Sequence, residues 1–373
     1  METGIDRGYL VLADISGYTS YLAGTELEHA QGVLSELLEL IVDRLTPVVT
    51  ISKLEGDAVF AYLPEGRLSR GETLLEMIEA TYAAFKDRVD GIRRRTTCPC
   101  NACRAIPSLD LKFIVHFGEY VVQRVSTTLR ELVGSDVNLV HRLLKNGVAE
   151  ATGWHGYALF TEQALARMDL RPDGLHRRVE TYEHLGQVVT FSLDLLARYQ
   201  AMTEARRVIV DPRETHAVYA TGLPAPPQVV WEWLNDPDRR SRWRPDTHWK
   251  AAARPGGRTG PGARNHCAHG QGQTTVEVIL DWRPFDYYTA DTWLAAGGRL
   301  AMREMQRLEP MPAGTRLHTC VQIRTPLPGV LNRLAARPLL RMVHLEELLH
   351  ALAQAIAEEQ DAAPVAGADP APQ

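Results

Sequence analysis

The sequence predicts an α+β protein made of two domains. Its 373 residues exceed one average domain, and a composition of 45% hydrophobic and 23% charged residues is typical of a globular chain. Two orders of elements follow each other along the chain. Up to about residue 196 the order is strand, helix, strand, strand, helix, strand, with further strands and a helix after it; beyond a boundary near 200–212 come a strand, a helix, several strands and one long final helix.

The first order is typical of a ferredoxin-like sandwich, and the second of a helix-grip architecture, in which a sheet wraps around one long helix. We therefore place the domains at 1–200 and 213–360. The tail at 361–373 is rich in Pro and Ala, which predicts disorder.

Charge and composition exclude several classes of protein. The net charge of −5 does not favour a nucleic-acid binder, and no apolar run is long enough to span a bilayer. The first residues, Met-Glu-Thr-Gly-Ile-Asp, have neither the basic start nor the apolar core of a signal peptide. We expect a cytoplasmic protein that does not bind nucleic acid and does not span a membrane.

The elements of the first domain follow from apolar spacing and turn residues. A short buried strand at 9–13 ends at Asp14, and apolar residues three and four apart predict a helix over about 26–46. Two β-rich runs, 48–52 and 58–63, flank Glu55-Gly56-Asp57 and have the form of a hairpin. A helix over about 69–94, a strand over 110–122 and a short helix over 136–146, which is closed by Asn146-Gly147, follow in that order.

The second domain is read in the same way. A strand at 215–221 and a Pro-rich turn at 224–227 precede a helix at 228–235. Several strands lie between about 245 and 325, and a helix over about 329–359 closes the unit, with apolar residues at 331, 334, 340, 343, 348, 352 and 356.

Two aspartates stand where an apolar strand meets a turn. Asp14 alone could be a helix cap, and Asp57 alone a turn residue. Together they offer two carboxylates at strand ends, which are ligands that hard divalent cations use beside phosphate oxygens. The pair therefore predicts a site for a metal-bound nucleotide.

Four strings in this order resemble the motifs of class III nucleotidyl cyclases, over about residues 8–195. They are Ala-Asp-Ile-Ser-Gly-Tyr-Thr at 13–19, Lys-Leu-Glu-Gly-Asp-Ala at 53–58, Leu-Lys-Phe-Ile-Val-His-Phe-Gly-Glu at 111–119, and Gly-Ser-Asp-Val-Asn at 134–138 followed by Arg142. The resemblance implies a ferredoxin-like cyclase domain that forms a 3′,5′-cyclic nucleotide and pyrophosphate.

The resemblance also implies a metal centre. Asp14 and Asp57 match the metal-binding aspartates, and Ile15 would add its backbone carbonyl, to hold two Mg²⁺ or Mn²⁺ ions in each active site. The metal residues and the remaining site residues of this family come from different protomers, so a homodimer is implied.

The nucleotide-binding residues are implied in the same way. Lys53 matches the lysine that recognises the base, and Asn138 and Arg142 match the residues that orient the ribose and stabilise charge on the α-phosphate. Glu131 stands where members that prefer adenine carry Asp. ATP is thus favoured, with GTP and pyrimidine triphosphates open. The alternative is a catalytically silent cyclase fold that serves sensing or dimerisation.

Three cysteines crowd the segment 96–104. Cys98, Cys100 and Cys103 form C-x-C-x-x-C, and three soft ligands within six residues suit a structural Zn²⁺ ion. His116, His141 and Cys267 are candidates for the fourth ligand. The alternative is a set of three reduced thiols on a surface loop.

Residues 217–237 resemble the start of START-like domains (polyketide cyclase or Bet v 1-like, SRPBCC), and this resemblance covers about 213–358. It implies an apolar cavity and a hydrophobic small-molecule ligand that modulates the cyclase. The alternative is that Trp231, Trp233 and Trp293 only pack a core. The string His-Cys-Ala-His at 266–269 is a weak metal candidate, because alternation on a strand puts His266 and Cys267 on opposite faces. No acid/base pair stands out in 213–358, which disfavours chemistry of its own in this domain.

Overall fold

A computed structural model describes residues 4–95, 101–124, 130–205, 207–211, 214–244, 247–269, 273–293, 301–325 and 344–362, with 327, 332, 334–336, 338 and 340–341. The chain divides into two compact units, Met1–Ala205 and Arg206–Gln373. No helix in these ranges is both long enough and apolar enough to cross a membrane.

The first unit is a sheet covered by helices. Its strands are β1 (Asp6–Ser16), β2 (Thr50–Glu55), β3 (Ala58–Pro64), β4 (Asp110–Arg124), β5 (Arg130–Val133), β6 (Tyr157–Thr161), β7 (His176–Tyr182) and β8 (Gly186–Asp194). Its helices are α1 (Tyr18–Ala23), α2 (Leu27–Leu45), α3 (Glu72–Arg95), α4 (Asn101–Ala105), α5 (Ser135–Leu143), α6 (Val148–Thr152), α7 (Glu162–Met168) and α8 (Leu195–Glu204).

The sheet confirms the predicted α+β, ferredoxin-like order. Its strands run β2-β3-β1-β4-β6-β8-β7, and β2, β3, β1 and β4 are antiparallel neighbours, as a β-α-β-β-α-β unit requires. Beyond β4, β6 adds in parallel and β8 and β7 extend the sheet. Strand β1 lies in the middle, which explains its continuous apolar run.

Helix α5 covers one face of β1, and α2 packs against β2, β3 and α3. Leu10 and Leu12 belong to a core cluster with Val137 and Val140 of α5. Helix α2 matches the predicted 26–46 within one residue at each end, and the residues it buries recur three and four apart: Ala30, Leu34, Leu37, Ile41 and Leu45. The α5 side of the sheet is the side on which the candidate site is built.

The second unit is a curved antiparallel sheet with one helix across it. Its strands are β9 (Ala217–Leu223), β10 (Thr247–Ala253), β11 (Arg264–His269), β12 (Gln273–Arg283), β13 (Tyr287–Trp293), β14 (Ala301–Met311) and β15 (Gly314–Arg324). Its helices are α9 (Pro227–Asn235), α10 (Pro237–Trp243) and α11 (Leu345–Ala362).

This sheet confirms the helix-grip prediction. Its order is β10-β11-β12-β13-β14-β15-β9, with every neighbouring pair antiparallel. Leu349 and Leu352 of α11 share one buried cluster with Leu317 and Val321 of β15. The final helix therefore packs on the sheet face that forms the core.

The single long helix predicted over 329–359 is wrong. Residues 332, 334–336, 338 and 340–341 are helical, but His344 has a left-handed φ of 46°, and α11 begins only at Leu345. The apolar spacing continues through both helical segments, so the sequence pattern does not reveal the break between them. Leu334, one of the apolar residues used for the prediction, is 58% exposed. At the other end α11 continues through Ala362, past the predicted start of the tail at 361, while 363–373 lie outside the described residues.

Candidate metal and nucleotide site

Asp14 and Asp57 meet where β1 ends and β3 begins. Antiparallel pairing puts Asp14, near the end of β1, opposite Ala58 of β3 and Lys112 of β4. Asp57 lies in the β2–β3 turn, which Gly56 closes with a left-handed φ of 66°. The backbone N–H of Ile15 donates to the carbonyl of Asp57 across 3.4 Å. The topology thus joins two residues that are 43 positions apart in the sequence.

A lysine lies beside Asp14. Lys112 Nζ is 3.0 Å from Asp14 Oδ2, and both side chains are mostly buried, with 19% and 15% exposed. Burial and then the charge of Asp14 raise the pKa of Asp57 to about 6, against the lowering effect of Lys112 and of the backbone N–H. When Asp14 and Asp57 are both ionised, their negative charge exceeds the single positive charge of Lys112. A bound metal cation would therefore stabilise the pair of carboxylates.

These residues fit a magnesium or manganese ion. Two carboxylates and the carbonyl of Ile15 are oxygen donors, the type that both ions prefer. Within the described ranges no three His, Cys, Asp or Glu side chains gather to hold a metal. The remaining ligands would therefore be phosphate oxygens and water, which is the usual arrangement for Mg²⁺ at a nucleotide.

Lys53 lies on β2 in a small charged cluster. Its Nζ is 2.7 Å from Glu55 Oε1, and the other oxygen of Glu55 is 3.1 Å from His141 Nδ1 on α5. Burial lowers the pKa of His141, although Glu55 opposes the shift, and the ring of His141 packs 4.8 Å from that of Phe60. Glu55 therefore links the predicted base-binding lysine to α5.

Helix α5 presents Asn138 and Arg142 to solvent. The two are exposed and one turn apart, while Val137, Leu139, Val140 and Leu143 are buried. Within the described part of the chain neither side chain forms a hydrogen bond or an ion pair. The structure therefore does not bring Asn138 or Arg142 into contact with Asp14 or Asp57 of the same chain.

Asp136 fastens the start of α5 to β4. Its Oδ2 accepts the backbone N–H of Glu119 across 2.7 Å, and its Oδ1 lies 3.4 Å from His116 Nε2. His116, and after it the Glu119 N–H, hold the pKa of Asp136 below its usual range against the effect of burial. The side chain occupies the space above Gly118, where any Cβ would collide with its carboxylate.

Glu131 lies on β5, opposite Gln123 of β4, and is half-buried. It forms no ion pair among the described residues; the acid beside Lys53 is Glu55.

Three residues of this region, Lys112, Glu55 and Asp136, were not predicted from the sequence as site residues. A charged Lys112 inside the apolar strand 111–117 was the available signal.

The zinc prediction falls largely outside the described residues. This is true of Cys98 and Cys100 and of the side chain of Cys103, although Cys103 itself lies in the short helix α4. Two candidates for the fourth ligand are engaged elsewhere, because His116 Nδ1 is 2.8 Å from Thr161 Oγ1 and His141 contacts Glu55. Cys267 is buried in the second unit, where burial raises the pKa of its thiol to about 12 and disfavours a thiolate ligand.

The aromatic residues of the second unit split into core and surface. Trp231 is fully buried, with its ring 4.6 Å from that of Trp282, whereas Trp293 is 37% exposed. On β11 the side chain of His266 is exposed and that of Cys267 is buried, as strand alternation predicts. These two residues therefore do not share a metal site.

The fold defines a two-domain α+β protein, with a ferredoxin-like unit followed by a helix-grip unit. A family model described as "Polyketide cyclase / dehydrase and lipid transport" matches residues 215–357. A second, described as "Protein of unknown function (DUF2652)", matches residues 34–152.

The chain is similar to a curated protein and to solved cyclase structures. The uncharacterized protein Rv2561/Rv2562 of Mycobacterium tuberculosis is 31% identical over 163 residues, which are 43% of this chain and 73% of that protein. The chain belongs to the same family as this mycobacterial protein. The guanylyl cyclase Cya2 is 17% identical, with a TM-score of 0.40 over 52% of this chain and 93% of that one. The adenylyl cyclase CyaB from P. aeruginosa is 18% identical, with a TM-score of 0.40 over 52% and 97%.

Proposed function

We propose that the first unit is the catalytic domain of a cytoplasmic nucleotidyl cyclase that acts as a homodimer. It would convert a nucleoside triphosphate, ATP in preference, into a 3′,5′-cyclic nucleotide and pyrophosphate. One observation carries the proposal: a single chain holds the Asp14–Asp57 acid pair where β1 ends and β3 begins, and an exposed Asn138–Arg142 pair on α5. These are the two halves of a nucleotide site.

The acid pair would hold the metal ions. Asp14, Asp57 and the carbonyl of Ile15 supply the protein ligands, and Mg²⁺ or Mn²⁺ bound there would activate the ribose hydroxyl and neutralise phosphate charge. Because the pKa of Asp57 is raised by its surroundings, its carboxylate gains more from a nearby cation than a solvated one does.

The other side chains position substrate and stabilise charge. In the reaction the ribose O3′ forms a bond to the α-phosphorus, the bond from that phosphorus to the pyrophosphate oxygen breaks, and the hydroxyl proton passes to solvent. Asn138 would hold the ribose, and Arg142 would pair with the α-phosphate oxygens, where negative charge develops. Such a preorganised donor contributes about 3–4 kcal/mol, so Arg142→Ala should lower kcat by about 10²–10³-fold.

Base recognition would fall to Lys53 and Glu131. A lysine donates and a carboxylate accepts, which matches the ring nitrogen and the exocyclic amine of adenine. Since Lys53 is already paired with Glu55 at 2.7 Å, a base that binds Lys53 must share or displace that contact. Glu55 is thus a second acceptor available to the base.

The direct test is product formation. Purified full-length protein is incubated with each of the four nucleoside triphosphates and Mn²⁺, beside Asp57→Ala and the control Asp43→Ala, which removes an exposed carboxylate of α2. We expect a cyclic product from wild type and from Asp43→Ala and none from Asp57→Ala. Absence of any cyclic product from a protein shown to be dimeric contradicts the proposal.

The composite site has a sharper test. Asp57→Ala should be inactive and Arg142→Ala should retain at most about 1% of the wild-type rate, but mixed dimers hold one site with both defects and one with neither. After free subunit exchange at equal amounts, activity should recover to about a quarter of wild type, because half of the dimers are mixed and each has one intact site of two. A mixture that stays inactive while exchange is demonstrated rejects a site shared between protomers.

A second candidate function is a catalytically silent dimerisation or sensing module. The observation that favours it is the Lys112–Asp14 pair, which already places a cation at the acids. This reading predicts a dimer that binds neither Mn²⁺ nor nucleotide at the acid pair, and the same incubation separates it from the enzyme.

We propose, for the second unit, a ligand-binding role that modulates the cyclase. Its support is the helix-grip sheet and the match of 215–357 to a family described by polyketide cyclases and lipid transport. A change in cyclase rate on addition of a hydrophobic small molecule, lost when residues 206–373 are removed, is the expected result. Equal rates with and without the second unit over a panel of such molecules would contradict it.

A further inference from the structure

The core of the second unit contains charged side chains where an apolar cavity is predicted. Glu277 and Arg240 are 4% exposed, Glu304 is 8% exposed and Gln306 is 1% exposed. Register places Glu304 opposite Ala290 and Gln306 opposite Tyr288, and both partners belong to the apolar cluster under α11. We call the set Arg240, Arg244, Trp249, Glu277, Glu304 and Gln306 the polar belt.

The acids of the polar belt are engaged. Arg240 donates from both terminal nitrogens to Glu277, each across 3.1 Å, and Asn265 donates to the same carboxylate across 2.7 Å. Burial alone would raise the pKa of Glu277, but the charge and hydrogen bonds of Arg240 hold it below its usual range. Glu304 accepts from Gln306, which in turn accepts from Thr319, and Glu304 also forms an ion pair with Arg244, whose Nη2 lies 3.9 Å from its Oε1. The carboxylates are therefore supplied with donors.

The arginines and the tryptophan of the belt have donors left over. The guanidinium of Arg240 lies 3.5 Å from the centre of the Trp249 ring, and that of Arg244 lies 5.9 Å from it and 4.5 Å from the centre of the Trp243 ring. Nε of Arg240, Nε of Arg244 and Nε1 of Trp249 are all buried and find no acceptor among the described residues. Two arginines with a buried, unsatisfied Nε–H thus lie near the Trp249 ring, and the N–H of that ring is unsatisfied as well.

Such an arrangement is costly as it stands. A buried N–H without a partner costs about 1–3 kcal/mol, so native proteins satisfy nearly all of them with protein, water or ligand. All three groups are donors, and two belong to cations. The chemistry that satisfies them is an acceptor with negative charge, placed beside aromatic rings that can cover an apolar body.

We propose that the polar belt is a binding site for the carboxylate of an organic acid with an apolar body. Arg244 and Trp249 donate to the carboxylate, Arg240 adds its free Nε–H, and the Trp243 and Trp249 rings contact the apolar part. The inference deepens the ligand-binding role proposed for the second unit by naming the class of ligand. It does not depend on cyclase activity.

Binding is measured on the full chain without nucleotide or metal. The probes are decanoate and 1-naphthoate, each compared with its alcohol, 1-decanol and 1-naphthalenemethanol, by calorimetry and by quenching of tryptophan fluorescence. We expect each acid to bind at least about tenfold more tightly than its alcohol, because charge-assisted hydrogen bonds to the carboxylate are lost in the alcohol.

Two variants and a control locate the effect. Arg244→Met removes a cation of the belt, and Trp249→Phe removes one N–H while keeping an aromatic ring; each should reduce the preference for acid over alcohol, and Arg244→Met should abolish it. Arg242→Met is the matched control, since Arg242 lies on α10 two residues before Arg244 but is half exposed and paired with Glu359 across 2.7 Å. It should keep the preference of wild type.

The proposal is overturned if neither acid binds, if the alcohols bind as tightly as the acids, or if Arg242→Met loses the preference as fully as Arg244→Met does. In the first case water satisfies the buried donors. Because these measurements include no nucleotide, an inactive cyclase domain leaves their outcome unchanged, and a failed binding test leaves the cyclase assay unaffected.

Discussion

Replacing Asp57 by Asn should stabilise the metal-free protein at pH 8 and leave its stability nearly unchanged near pH 4. Burial and the charge of Asp14 raise the pKa of Asp57 to about 6 in the folded chain, whereas an unfolded Asp titrates at about 3.9. Because the folded pKa is the higher one, ionisation costs the folded state free energy. That cost grows as the pH rises from about 4 to about 6 and is complete above it.

The size of the effect follows from the shift. About two pKa units correspond to about 3 kcal/mol at roughly 1.4 kcal/mol per unit. Asp57 is partly exposed, and solvent screening reduces the expected gain to about 1–2 kcal/mol. For a unit of about 200 residues this raises Tm by about 2–8 °C.

The assay is thermal unfolding followed by circular dichroism, in EDTA, between pH 4 and pH 8. Wild type and Asp57→Asn are compared with Asp43→Asn, which neutralises an exposed acid and should not shift Tm in this way. The reasoning is refuted if Asp57→Asn melts at or below wild type at pH 8, or if its gain at pH 4 equals that at pH 8.

Three further predictions concern neighbouring groups. Lys112→Met removes the cation 3.0 Å from Asp14 and should tighten Mn²⁺ binding by about tenfold. The affinity is measured by electron paramagnetic resonance, with the exposed Lys145→Met as the control. Unchanged or weaker binding would show that Lys112 does not compete with the metal. Asp136→Ala deprives the Glu119 N–H of its acceptor and should lower stability by about 1–3 kcal/mol in denaturant titration while leaving Mn²⁺ affinity intact; a full loss of Mn²⁺ binding would contradict a role confined to α5. Cys100→Ser should lower the bound zinc measured by elemental analysis, and equal zinc in both proteins would exclude Cys100 as a ligand.

Most of the fold could be predicted from the sequence. The spacing of apolar residues gave α2 within a residue at each end, and the order of elements predicted the arrangement of β2, β3, β1 and β4. The sequence did not predict the break before α11, because the left-handed backbone of His344 does not alter the spacing of apolar residues.

The site was predictable only in part. Local strings point to Asp14 and Asp57, since each acid lies beside a glycine turn. Lys112 acquires its meaning from strand register, which sets it opposite Asp14, and register is a property of pairing rather than of a local string. The polar belt escaped for a related reason: Arg240 and Glu277 are 37 positions apart, on a helix and a strand that each look ordinary alone.

The close packing at Gly118 has a consequence for the proposed cyclase activity. Its missing side chain is the space that the Asp136 carboxylate fills, and α5 is fastened to β4 at that point. One methyl group there would push Asp136 aside and tilt the helix that displays Asn138 and Arg142, although the altered residue meets neither substrate nor metal. A substitution on the supporting strand would thus disable the proposed nucleotide site, with every one of its residues still in place.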